Sequence, residues 1–222
     1  MDFITELTQL LESQRNSDFA WQMHEYMKRQ FHFLGVKAPV RKQILKEAIA
    51  NHKEEVTKNV RQIAETLYAK TEREYHYCAI EIIAKFLKKK YKEEDLDYIL
   101  AFIYTHSNWD TVDFVAKHIL GIYLLQFWEH SERIVNNLST SENMWLNRSA
   151  ILFQLGYKDR TDETMLFDQC LAHKESKEFF IQKAIGWALR EYGKTNPDSV
   201  LEFVNSNTLK PLSTREALKR LQ

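Results

Sequence analysis

Trp109 and Asp113 stand four residues apart in the stretch HSNWDTVDFVAKHILGIYLL, His106 to Leu125. In a helix that spacing places an indole and a carboxylate one above the other on the same face. Both groups attract positive charge, the indole through its ring face and the carboxylate through its full charge. The pair therefore suits a cation. Asp110 and Asp113 could instead begin a metal-dependent nuclease site, but two Asp three apart supply too few ligands. Eight His are scattered along the chain without an HExxH or similar ligand pair. The sequence thus points to no metal and no cofactor.

Helices must position these groups. Apolar residues recur at i, i+3/i+4 spacing in ITELTQLL, VTKNVRQIAETLY, EDLDYILAFIY and DSVLEFVN, and this periodicity predicts roughly a dozen helices with no strands. Candidate capping residues set a register. Thr71 opens TERE and Ser213 opens STRE, each a capping box closed by Glu74 or Glu216. Ser107, Ser141 and Ser176 open SNWDTVD, SENMWLNR and SKEFFIQK. The five positions are separated by 36, 34, 35 and 37 residues. A further helix is predicted between neighbours, as at Glu93 to Tyr104 and Asp162 to His173. The unit is a helix pair, and stacked pairs make an α-solenoid. The expected fold is all-α, one domain over residues 1–222, a right-handed solenoid of about six HEAT-like antiparallel pairs with a concave groove. The tetratricopeptide signature WxxLGxxY is missing. Counted from each capping residue, Trp109 and Asp113 fall at offsets two and six, Arg148 and Lys183 at seven, and Trp187 at eleven. Neighbouring helices would bring two indoles, a carboxylate and two cations to one wall. The plainer alternative is that Trp145 and Trp187 pack in the core and that Arg148 and Lys183 are solvated.

Composition fits this reading. The chain has 222 residues, 44% hydrophobic and 28% charged, with only five Gly and three Pro. So few turn formers argue against an all-β fold. The 31 basic and 31 acidic residues balance, which counts mildly against a nucleic-acid binder, although a local basic stripe suffices for phosphate. Cys78 and Cys170 form no CxxC and indicate a reduced, cytoplasmic setting. The N-terminus MDFITELTQL lacks a cationic leader. The apolar run Ile119 to Trp128 is too short for a membrane span. KKKYK, Lys88 to Lys92, reads as a solvated helix end.

SNWDTVDFVA, NMWLNRSAILFQLGYK and SKEFFIQKAIGWALREYGKTNP resemble the matching segments of AlkD-type alkylpurine DNA glycosylases, a bacterial family built of HEAT-like repeats. The resemblance extends over essentially the whole chain, including YMKRQFHFLGVKAPVRKQ. It implies hydrolysis of the N-glycosidic bond of cationic alkylated purines, such as 3-methyladenine and 7-methylguanine, in duplex DNA without extrusion of the base. It implies a metal-free monomer. In the family motif Asp113 is the carboxylate, Trp109 and Trp187 flank the lesion's sugar, and Arg148 steadies the nearby phosphate. Tyr26 resembles an aromatic that faces the duplex. Lys183, Arg190 and Lys194 would line the DNA-binding wall beside Arg148. One position departs from the pattern: a second aromatic is usual before Trp109, and here Asn108 stands there. Some relatives lack an N-terminal helix and the activity, whereas FITELTQLLES and DFAWQMHEYMKRQ both read as helices.

The implied chemistry suits the residues. A purine alkylated at N3 or N7 already carries positive charge, so it leaves as a neutral base without being protonated and needs no general acid. The demanding species is the oxocarbenium-like sugar, which a fixed carboxylate and indole faces stabilise. Ordinary glycoside hydrolysis would need a second carboxylate as acid. The alternative is a repeat scaffold that binds DNA or protein without catalysis, since fold does not fix function.

Overall fold

A computed structural model describes residues 1–219. Among them the regular elements are all helical, with one isolated bridge between His32 and Glu72. No helix among the described residues is long and apolar enough to cross a membrane. The chain divides into two compact units, Met1–Lys90 and Tyr91–Gln222.

In the first unit, α1 (Phe3–Ser13) is capped by Asp2, whose side chain accepts from the Thr5 amide. Its Phe3, Leu7 and Leu11 repeat every four residues and are fully buried, and this stripe packs α1 on α3 (Ala38–Asn51). Between them α2 (Ser17–Tyr26) buries none of its residues. It ends at Tyr26, short of the expected Gln30, because Lys28 and Arg29 adopt left-handed φ angles of 56° and 62°. Then follow α4 (Lys53–Lys58), α5 (Val60–Tyr68) and α6 (Arg73–Phe86), with α5 packed on α6.

The expected capping box at Thr71 does not form. Glu72 occupies the cap position of α6 without a side-chain cap bond. Glu74 is buried, and its carboxylate accepts the amides of Leu34, Gly35 and Val36 at 3.0, 2.9 and 3.0 Å. Three buried backbone donors outcompete one cap position. Gly35 is required in that loop: its φ is +86°, and a Cβ there would sit 2.0 Å from the Asn16 carbonyl.

The second unit is a layered stack. Its helices are α7 (Asp95–Tyr104), α8 (Trp109–Val115), α9 (Gly121–Gln126), α10 (Ser131–Ser139), α11 (Met144–Leu152), α12 (Glu163–Ala172), α13 (Phe179–Tyr192), α14 (Pro197–Ser206) and α15 (Pro211–Leu218). One row packs α8 on α11, α11 on α13 and α13 on α15, while α10 lies on α12 in the other. This is the repeat of an α-solenoid. The row helices begin at Trp109, Met144, Phe179 and Pro211, steps of 35, 35 and 32 residues. The period therefore holds, and the helices begin two or three residues later than the expected serines, or two earlier at the last.

Each serine has another task. Ser107 donates to the Ile103 and Tyr104 carbonyls, and Asn108 caps α8 instead. Ser141 accepts the amide of Asn143, which caps α11. Ser176 accepts the Glu178 amide. Ser213 lies inside α15 and donates to the Gln182 carbonyl of α13 at 3.0 Å. A core of Ile151, Leu152, Leu166, Ile185, Leu189, Val200 and Phe203 joins α11 to α14.

Candidate active site

The chain enters α8 through His106, held at a left-handed φ of 51°, and Asn108, whose Oδ1 accepts the Trp109 amide at 2.7 Å. A non-glycine residue in that region is strained, and such strain persists where its surroundings impose it. Asn108, which stands where the resemblance leads to an expected aromatic, is buried and caps the helix. Trp109 opens the helix and Asp113 follows one turn later; both are half-buried. Immediately beyond, Ala116–Leu120 form a π-helical turn, an irregularity that recurs at functional sites.

Arg148 of α11 meets Asp113 in a two-pronged ion pair. Its Nε lies 2.7 Å from Oδ1 and its Nη2 2.8 Å from Oδ2. Nη1 donates to the Phe180 carbonyl in the first turn of α13. The Arg148 side chain is 5% exposed and that of Asp113 14%. Burial pushes the Asp113 carboxyl above its usual value, and the Arg148 guanidinium, through its hydrogen bonds and its charge, opposes that rise without overcoming it. One arginine thus ties α8, α11 and α13 together at the carboxylate.

An aromatic row runs along the same helix starts. Trp145 lies beside Phe180, ring centroids 5.1 Å apart, and Phe180 beside Phe179 at 5.4 Å. Phe179 is 58% exposed. The Arg148 guanidinium sits 5.9 Å from the Phe180 ring centre. Phe179 and Phe180 were not among the expected site residues. The available signal was their place in the repeat: they open α13 as Trp109 opens α8.

The remaining expected residues are spread along α13 and beyond. Trp187 is half-buried against the core and lies roughly 10 Å along the helix from Phe180, at 1.5 Å per residue. Lys183 and Arg190 both turn to Glu216 of α15, at 2.9 and 2.6 Å. Together they hold the Glu216 carboxyl at a pKa of about 2. Lys194 lies past the far end of α13, paired with Glu191 at 2.5 Å, at the rim of a cavity of about 280 Å³ whose lining includes Lys158 and Thr161. Tyr26 belongs to the N-terminal unit, where it is 70% exposed at the end of α2. Among the described residues no three His, Cys, Asp or Glu come together to hold a metal ion. Both Asp113 oxygens face Arg148, which removes one of the two carboxylates that a nuclease reading would need.

No curated protein matches. A solved structure described as a predicted DNA alkylation repair enzyme from Enterococcus faecalis is 36% identical, over 93% of this chain and 96% of that one, with a TM-score of 0.84. AlkD2 from Streptococcus mutans superposes with a TM-score of 0.60 at 18% identity, over 80% of this chain and 86% of that one. The protein smu.31 from Streptococcus mutans gives 0.61 at 18% identity, over 83% and 97%. The two streptococcal structures speak for the fold alone. Residues 7–221 match the family described as DNA alkylation repair enzyme, and with the helical stack and that coverage the chain belongs to the DNA alkylation repair enzyme family.

Proposed function

We propose that the chain is a monofunctional DNA glycosylase that hydrolyses the N-glycosidic bond of cationic alkylated purines in duplex DNA. The observation that carries this reading is Asp113 itself. It is a half-buried carboxylate beside an indole on one helix, fixed by a two-pronged arginine from the next.

A 3-methyladenine or 7-methylguanine base already bears positive charge and departs as a neutral purine. Positive charge then builds on the sugar. A carboxylate about 4 Å from that charge is worth about 4 kcal/mol at an effective dielectric near 20. Arg148 offsets part of this field while keeping the group oriented, so about 2–4 kcal/mol is a reasonable share. The same carboxylate can orient the attacking water. Indole faces at Trp109 and Trp187 would add about 0.5–2 kcal/mol each. Arg148 acts first as the positioning group for Asp113. Its remaining N–H groups can still donate to a phosphate. Tyr26 is a further candidate DNA contact, and both N-terminal helices are formed, as in the active branch that the resemblance implies.

The test is release of free 7-methylguanine from methylated duplex DNA in the presence of EDTA. Release supports the glycosylase. Strand cleavage that EDTA abolishes would replace it with a nuclease. A second reading, a DNA- or protein-binding scaffold without catalysis, is favoured by the ion pairing of Asp113, Lys183 and Arg190, which serves helix packing equally well. DNA binding without release would support it.

A further inference from the structure

STRE, residues 213–216, reads in the sequence as a helix cap, yet both of its outer side chains cross to α13. Ser213 bonds the Gln182 carbonyl, and Glu216 takes Lys183 and Arg190. The two helices meet without space between them: a Cβ on Gly186 would lie 2.5 Å from the Glu216 Cβ and 2.7 Å from the Ser213 carbonyl oxygen. Glu216 therefore cannot drift. It is further pinned by Arg190, whose Nη1 donates both to its carboxylate at 2.6 Å and to its backbone carbonyl at 2.9 Å.

Exposure then divides the labour. The side chains of Glu216 and Arg190 are 11% and 20% exposed, that of Lys183 37%. Lys183 holds Glu216 by its Nζ at 2.9 Å. A lysine ammonium has three donors, so two remain for another acceptor. The triad carries two positive charges and one negative, and the surplus faces solvent at Lys183. Lys183 also lies one turn from Trp187 on α13, on the same helical face.

Resting on the DNA-binding reading above, we propose that Glu216 is a positioning residue. Arg190 anchors it, and it presents Lys183, pre-oriented, to a phosphate of the DNA backbone. Fixing a free lysine side chain on binding costs rotamer entropy, and a lysine already held in place avoids that loss. The effect is local to one phosphate contact and independent of sequence or lesion.

The experiment measures equilibrium binding of the full chain to an undamaged duplex oligonucleotide over a range of salt. Wild type, Glu216→Gln, Lys183→Met and the double variant are compared, with thermal melts of each. Each single variant should lose roughly threefold to tenfold in affinity, and Lys183→Met, which removes a cation, should also make the log–log salt slope shallower by about 0.9. The double variant should be no weaker than either single one, because both remove the same contact. A steeper slope for Glu216→Gln would show that Glu216 masks the cations, and would overturn the proposal. A lowered melting temperature with unchanged affinity would leave only a helix clamp and would also overturn it. If Glu216→Gln fails to fold, Lys183→Met still decides: an unchanged slope overturns the proposal. Wild type that shows no salt-dependent binding would remove the DNA-binding reading and this inference together, whereas normal wild-type binding with an unaltered Lys183→Met removes this inference alone.

Discussion

Arg148 and Asp113 face each other atom for atom, Nε against Oδ1 and Nη2 against Oδ2, at 2.7 and 2.8 Å. A fork of this kind fixes the plane of the carboxylate as well as its distance. It also makes the carboxylate and the arginine one unit, so a change at either is felt at both.

Asp113→Asn should slow single-turnover excision roughly 30- to 1000-fold, the loss of about 2–4 kcal/mol of transition-state stabilisation. It should also destabilise the fold, because Arg148 is left buried against a neutral amide. A loss of about 1–3 kcal/mol at about 2–4 °C per kcal/mol is expected. The rate must therefore be measured well below the variant's melting temperature. Excision within tenfold of wild type under those conditions would remove Asp113 from the chemistry.

Much of this was legible because helix periodicity and repeat length are written in apolar spacing. The offsets that brought Trp109, Asp113 and Arg148 together hold because α8 and α11 stack in register. What failed was the reading of short polar side chains. Ser213, Glu216 and Glu74 have the right types and spacing for caps, yet each is drawn to a partner distant in sequence. The Phe180 carbonyl that completes the Arg148 site is backbone and leaves no mark in residue type. Lys194, expected along the DNA-binding wall, follows the end of α13, and its ammonium meets Glu191.

Glycosylase activity should fall in acid as Asp113 takes up a proton, with the limb above the usual carboxylate range because burial raises that group. Arg148→Met removes the opposing influence, so the limb should move to higher pH. A pH–rate profile of the variant is the check. An acid limb that stays in place would mean that another group governs it.

Glu216 has the opposite sign. Its carboxyl is lowered from 4.5 to about 2 by Lys183 and Arg190. The stability it contributes is complete above about pH 5 and is lost as pH falls toward 2. Melting temperatures of wild type and Glu216→Gln should therefore converge in acid. Parallel curves from pH 6 to pH 3 would show that the pairs to α13 contribute nothing to stability.

Gly186→Ala should separate α15 from α13. The added methyl would meet the Glu216 Cβ at 2.5 Å and two backbone atoms of α15 at 2.7 and 3.2 Å, none of them the end of a flexible side chain. Overpacking of this kind costs about 1–3 kcal/mol. A thermal melt should show a drop of several degrees, about 2–4 °C per kcal/mol at this chain length. An unchanged melting temperature would mean that α15 can shift freely, and that Glu216 is not fixed by the helix contact.

The choice of lesion follows from what surrounds Asp113. Among the described residues, the groups that meet Asp113 or its arginine are a guanidinium, a backbone carbonyl and aromatic rings, and the Asp110 carboxylate is near enough for its charge to be felt. Arg148 stays charged and cannot serve as an acid. Asp113 is engaged as an acceptor by Arg148, so it is poorly placed to protonate a leaving base. Neutral lesions need that proton, and cationic ones do not. Free 3-methyladenine and 7-methylguanine should therefore be released from duplex DNA, while uracil, hypoxanthine and 8-oxoguanine remain. If catalysis acts on the sugar, a bulkier cationic N7 or N3 adduct should leave at a rate within about tenfold of 7-methylguanine, a difference of about 1.4 kcal/mol or less. The measurement is single-turnover release of each base from one duplex context. Release of uracil at a comparable rate would reveal an acid elsewhere. Rejection of the bulky cation would instead mean that the base is turned out into a close-fitting cavity, as in enzymes that flip their target nucleotide.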